Sequence, residues 1–201
     1  MGKIVAICGI DGAGKTTTID YLYDVLVSHN YKVKKIKVQL KSLQLLRKMS
    51  EKLFANQDKF YEYINPLYIR IGVAYDFALS YMNEDDYDDY DYILCDRYDL
   101  CYKAYGKAHG VNDMSFPNML FDMAPKPELY VFLNIEPKTA MKRIEMRGYE
   151  KTYDEELSIL TQTDYYYKQY IRDYEKVLNI DALLKTEEIV KQIILKLKSN
   201  T

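Results

Sequence analysis

Apolar residues run unbroken from Ile4 to Cys8 and stop at Gly9, the pattern of a short buried strand over residues 3–8. A helix is predicted from about Lys15 to Ser28. Tyr31 to Val38 then alternates apolar and basic residues, as a half-exposed strand does, and Leu43, Leu46, Met49, Leu53 and Phe54 recur at helical spacing. A long helical stretch is expected from about Phe60 to Met82, an acidic turn over Asn83 to Asp91, and a third strand over Tyr92 to Asp96. Further strands are predicted at Leu129 to Ile135 and Lys176 to Ile180, each followed by a helix. Parallel strands need crossover connections, so this alternation points to an α/β fold of three layers, with a parallel sheet of about five strands and helices on both faces.

The chain has 201 residues, the size of one domain with a full core, and no repeat or linker divides it, so residues 1–201 are read as a single domain. Hydrophobic residues make up 48% and charged residues 29%, a balance that excludes disordered and membrane-spanning classes. With a formal net charge of -2 and no long run of Lys or Arg, neither polymeric nucleic acid nor a membrane surface is an expected partner. The apolar N-terminal stretch is too short for a signal sequence, which predicts a cytoplasmic protein. Cys8, Cys95 and Cys101 have neither C-x-x-C nor finger spacing, and Cys8 and Cys95 read as small apolar strand residues. Glu84, Asp85, Asp86, Asp88, Asp89 and Asp91 lack the central glycine and terminal glutamate of an EF-hand loop and read as a solvated turn. His29 and His109 fall near predicted helix C-termini, where a cation interacts well with the dipole, and neither is assigned a catalytic role. The run Tyr165-Tyr166-Tyr167 is expected to put one ring into the core, with stacking near a ligand as the alternative.

Gly9-Ile10-Asp11-Gly12-Ala13-Gly14-Lys15-Thr16 fits G-x-x-x-x-G-K-[ST] and lies between a predicted strand and a predicted helix. Its glycines let backbone N–H groups turn inward around an anion, and the helix N-terminus adds its dipole. Lys15 reaches terminal phosphates and the Thr16 hydroxyl can ligate magnesium, so the segment, continued by Thr17, predicts Mg-ATP binding and a P-loop NTPase-type fold. The strand that ends in Asp96-Arg97-Tyr98 narrows the class: no N-K-x-D guanine motif is present, and a motor ATPase would usually place a second carboxylate where Arg97 stands. Asp96 is suited to magnesium or its waters, and Arg97 to a bidentate clamp on an acceptor phosphate. Arg143 and Arg147 lie four apart on the helix after Ile135 and are expected to share one face. Both would then swing over a transferring phosphoryl group as part of a mobile lid around residues 143–156, supplying charge that an arginine-free P-loop lacks. Lys15, Arg97, Arg143 and Arg147 are thus the expected catalytic set.

In these residues the chain resembles the thymidylate kinase family over nearly its whole length. The resemblance is carried by Gly9 to Thr17; by Asp96-Arg97-Tyr98-Asp99-Leu100-Cys101-Tyr102-Lys103-Ala104-Tyr105-Gly106, similar to D-R-Y/H-x-x-S-x-x-A-Y-Q-G; by Lys126-Pro127-Glu128-Leu129 through Arg143 and Arg147-Gly148; and by Ile180-Asp181-Ala182 with Thr186-Glu187-Glu188-Ile189. It implies ATP-dependent phosphorylation of a deoxynucleoside monophosphate, dTMP to dTDP, with ATP and Mg2+, small nucleotides as the substrates, and a homodimer packed through helices. It implies also that Asp11 approaches the acceptor sugar and that Tyr105 packs against the deoxyribose.

The family's acceptor-phosphate motif after the second strand is not matched by Gln39-Leu40-Lys41-Ser42-Leu43. The thymine-reading arginine would fall near Tyr75 or Asp76 and its aromatic partner near Gly72; Arg70, the only arginine on that helix, is the substitute from another turn. An acceptor other than dTMP stays open, whether another or modified pyrimidine nucleotide or a deoxynucleoside, and Asp76 facing the base would favour an exocyclic amine. Outside catalysis, the alternative is a nucleotide-binding module that signals by lid closure.

Overall fold

The computed structural model describes residues 2–82 and 87–199; positions 83–86 of the acidic turn lie outside them. Five strands, β1 (Lys3–Cys8), β2 (Val33–Lys37), β3 (Tyr92–Asp96), β4 (Leu129–Asn134) and β5 (Val177–Asp181), form one sheet in the order β2-β3-β1-β4-β5, every pair parallel. Between them run α1 (Lys15–Ser28), α2 (Lys41–Phe54), α3 (Pro66–Met82), α4 (Asp99–Ala108), α5 (Ser115–Phe121), α6 (Pro137–Glu145) and α7 (Leu157–Tyr170), with α8 (Thr186–Ser199) after β5. The central strand β1 is buried from Ile4 to Cys8 because helices cover both faces, which is why its apolar residues run together without alternation. The edge strand β2 carries Lys34, Lys35 and Lys37, and charge of this kind keeps an open edge from pairing with another chain. Cys8 and Cys95 are buried in β1 and β3 as thiols rather than as disulfide partners.

From β1 the chain crosses outward to β2, and the later strands β4 and β5 lie on its other side, so a crevice opens at the carboxyl end of β1. α1 packs against α8, while α4 packs against α3 and α7.

The helix expected from Phe60 to Met82 is broken in two. A 3-10 turn, Lys59–Glu62, precedes α3, which starts at Pro66. Proline disfavours helical geometry in Asn65 before it yet suits the first helical position, and the Asn65 side chain accepts the Leu67 N–H at 2.9 Å. Phe60 turns inward onto Leu43 and Ile69 and forms a small second core.

Two of the expected base-pocket positions serve packing instead. The Asp76 carboxylate accepts the Ser42 N–H at 2.8 Å and its hydroxyl at 2.6 Å, capping the first turn of α2 from a neighbouring helix. A Cβ on Gly72 would lie 3.0 Å from Ser42 Oγ, so glycine lets α2 sit close against α3. Asp76 is thus engaged by α2 and is not among the residues that line the large cavity at the sheet's carboxyl end, and Tyr75 is exposed. Of the apolar residues spaced along α2, Leu43 is buried, while Met49, Leu53 and Phe54 face outward.

Candidate active site

β1 ends at Cys8, and residues 9–14 turn the chain into α1. Gly12 has φ 84°, and a Cβ there would lie 2.5 Å from the Ala140 carbonyl oxygen, so glycine alone lets α6 rest on the loop. No side chain caps the start of α1, which leaves its first-turn N–H groups to an anion. Lys15 is buried; its ammonium donates to the Ile10 carbonyl at 2.9 Å and lies 3.4 Å from Asp11 Oδ1. Burial, followed by the charge of Arg97, lowers its pKa, with Asp11 and Asp96 opposing them. Beneath the loop, fully buried Tyr167 donates to the Gly9 carbonyl at 3.3 Å, so one ring of the tyrosine run does enter the core, while Tyr165 is exposed.

Asp11 is the hub of a polar cluster beside the loop. Arg97 Nη2 donates to Oδ1, Tyr105 donates to Oδ2 at 2.9 Å, and the Arg97 guanidinium lies 5.0 Å from the centre of the Tyr105 ring. Burial opposes ionisation of Asp11, but Arg97, Lys15 and the Tyr105 hydroxyl outweigh it and hold the carboxyl well below the usual carboxylate range. Arg97 has φ 73°, a left-handed conformation that costs a side-chain-bearing residue about 1–2 kcal/mol. Its N–H is fixed on the Ile7 carbonyl at 3.1 Å, so the end of β3 is bent to aim the guanidinium at the P-loop.

Beside this cluster, the Thr16 hydroxyl donates to Asp96 Oδ2 at 3.3 Å, and Lys37 Nζ lies 3.5 Å from the same oxygen. Lys37 and Asp96 are paired partners at the ends of β2 and β3. Thr16 and Asp96 fit a magnesium that would be held by a hydroxyl and a carboxylate.

Asp11, Lys15, Thr16, Lys37, Asp96, Arg97 and Tyr105 line one cavity of about 590 Å³, together with Leu40, Leu43, Arg47, Arg70, Tyr102, Arg147, Asp154 and Glu155. Arg70 is buried in α3 and reaches this cavity, with Nε and Nη2 lacking a partner among the described residues. Arg147 lines it as well, 2.7 Å from the Tyr149 hydroxyl and 3.7 Å from Glu155.

Arg143 does not join Arg147. α6 ends at Glu145, so Arg147 lies beyond the helix and the one-face spacing no longer applies. Arg143 instead donates to the carbonyls of Ala182, at 3.0 Å, and Gly12, at 3.5 Å, bracing the outer side of the P-loop.

Sequence reasoning missed Lys37, Arg47, Asp154 and His109. Lys37 had a signal: it ends the strand next to the one that ends in Asp96. For the other three none exists, because they meet only in the folded chain, across separations of 45 and 107 residues.

A glycine-rich loop with its lysine at a helix N-terminus, and the cluster of Asp11, Arg97 and Tyr105 opening into the same cavity, fit a P-loop kinase. The family profile described as thymidylate kinase matches residues 7–193. A "Probable thymidylate kinase" of Archaeoglobus fulgidus is 29% identical over 155 residues, 72% of this chain and 70% of that one. "Probable thymidylate kinase 1" of Saccharolobus solfataricus is 27% identical across 100% of this chain and 99% of its own length, and a "Thymidylate kinase" of Caldicellulosiruptor saccharolyticus is 24% identical across 96% and 94%. The chain belongs to the thymidylate kinase family and is a nucleoside monophosphate kinase with ATP as phosphate donor.

Proposed function

We propose that this enzyme converts dTMP to dTDP: an oxygen of the acceptor's 5′-phosphate attacks the γ-phosphorus of ATP, the new O–P bond forms as the bond to the β-phosphate oxygen breaks, and ADP leaves. The observation that carries the reading is the single cavity onto which the P-loop, the Asp11–Arg97–Tyr105 cluster and Arg70 all open. Lys15, Thr17 and the loop N–H groups hold the donor phosphates. Arg97 holds the acceptor phosphate, and Asp11 with Tyr105 orients the sugar. Arg147 brings a cation to the transferring group from the segment around 143–156, which acts as a lid, while Arg143 keeps the P-loop in place from behind. Thr16 and Asp96 would hold Mg2+, which neutralises phosphate charge when bound. Arg70, which lines the cavity from α3, donates to a base carbonyl and takes the part of the arginine missing at 75–76.

That last assignment predicts that Arg70→Ala raises KM for dTMP by roughly 10–100-fold and leaves KM for ATP within about two-fold. Steady-state kinetics with each substrate varied in turn checks it, and a parallel rise in both values refutes it.

Tyr68, Tyr75, Leu79 and Met82 form an exposed stripe along α3, and Phe116 and Met119 are exposed on α5, which packs beside it. Monomers seldom leave such a face bare, so this surface is the proposed homodimer contact. Sedimentation equilibrium should give twice the 23.8 kDa chain mass; a monomer mass at micromolar concentration refutes it. No helix among the described residues is long and apolar enough to cross a membrane.

A further inference from the structure

The corner of the cavity beyond Arg147 holds more partly buried charge than phosphoryl transfer uses. Asp154 accepts from His109 Nε2 at 2.7 Å and from Arg47 Nη2 at 3.3 Å. Asp58 accepts from Arg47 Nε at 2.9 Å and from the Tyr153 N–H at 2.8 Å. The Tyr61 ring stacks on His109 at 5.0 Å and lies 4.7 Å from the Tyr153 ring. Residues 153 and 154 are thereby tied at once to α2, to the turn before α3 and to the C-terminal end of α4. In the same corner the Tyr61 hydroxyl, like Arg70 Nε and Nη2, is buried without a partner among the described residues.

We propose that His109 and Asp154 are a positioning pair: they dock the lid segment 152–155 on the acceptor side of the cavity, and so set where Arg147 and Arg70 stand relative to the acceptor nucleotide. The kinetic consequence rests on the dTMP reading above; the docking itself does not. If only structural packing were at stake, an apolar ring against Tyr61 would serve as well as imidazole. The Nε2 donor is what Asp154 uses, and Asp154 is what fixes Arg47 on its second side.

The groups facing His109 are Asp154, Asp58 and Arg70, with the Tyr61 and Tyr153 rings packed on it and Arg47 acting through Asp154. Burial, followed by Arg70, pushes its pKa below the ordinary value against the pull of Asp154, so the docked form is neutral imidazole. As pH falls through about 6.5, the unfolded chain takes up a proton that the folded one refuses, and stability is lost with acidification. Asp154 stays ionised in that window because its His109 hydrogen bond and nearby cations outweigh burial and hold its pKa low.

His109→Phe keeps a ring against Tyr61 and deletes the donor; His109→Gln restores one. His109→Phe is expected to raise KM for dTMP roughly ten-fold with KM for ATP within about two-fold, and His109→Gln to stay near wild type. Hydrogen exchange at the Tyr153 amide, the bond to Asp58, should speed up at least about ten-fold in His109→Phe and not in His109→Gln, with β1 and β4 amides unchanged. Should His109→Phe lose protection in β1 as well, Asp154→Ala, which removes the acceptor, replaces it with the same expected readings. If the wild type phosphorylated no nucleotide, the exchange experiment would still decide the docking, and the acceptor reading alone would fall. Unchanged Tyr153 exchange, an equal rise in both KM values, or a Gln variant as impaired as the Phe variant overturns the proposal.

Discussion

Replacing Lys15 with Ala is expected to lower kcat by about a thousand-fold or more, because the loop's only ammonium is the charge that follows the γ-phosphate into the transition state. The helix dipole and loop N–H groups survive the change, so ATP binding weakens less than turnover. Nor should the fold fail: Asp11 keeps Arg97 and Tyr105 as partners, and the Ile10 carbonyl loses one donor. A thermal melt alongside the turnover assay separates the two effects. More than about a tenth of wild-type kcat in a folded Lys15→Ala enzyme would refute the role given to this residue.

Arg97→Ala should be nearly as damaging for a different reason. The guanidinium is aimed by a strained backbone, and strain of this kind persists only where the surrounding structure imposes it. Removing it takes away the acceptor-phosphate contact, and kcat/KM for the acceptor should fall by about a thousand-fold, some 4 kcal/mol. It also strips Asp11 of its main counter-charge. A carboxyl whose folded pKa is depressed stabilises the fold above its unfolded pKa, near 3.9, and loses that contribution as pH falls through the folded value. The melting temperature of Arg97→Ala should therefore lie below wild type at pH 7, and the gap should narrow below about pH 4. Equal gaps at both pH values would mean that Asp11 does not depend on Arg97.

Much of this was legible in the chain itself, and the reasons are physical. The P-loop is local chemistry: glycines, lysine and threonine act where they stand, between a strand and a helix. Asp96 and Arg97 could be read because a strand end places its residues at the mouth of a parallel sheet. Positions that depend on where an element stops were harder. Asn65-Pro66 announces a helix start, yet the apolar run on either side masked the break; the end of α6 at Glu145 likewise separated Arg143 from Arg147. The changed residues at Gly72 and Asp76 looked like an altered base pocket because sequence alone does not show that α2 lies against α3. The corner of Arg47, Asp58, His109 and Asp154 is wholly tertiary, and no spacing within the chain could announce it.

The central claim is that this cavity phosphorylates dTMP. A coupled ADP-release assay with Mg-ATP, run against dTMP, dUMP, dCMP, dGMP, dAMP and the corresponding deoxynucleosides, tests it most directly. The arrangement of Arg97, Asp11, Tyr105 and Arg70 predicts that dTMP gives the highest kcat/KM and that thymidine, lacking the phosphate held by Arg97, is turned over poorly. A higher kcat/KM for a deoxynucleoside or for a monophosphate other than dTMP, or no ADP release with any acceptor, would contradict it.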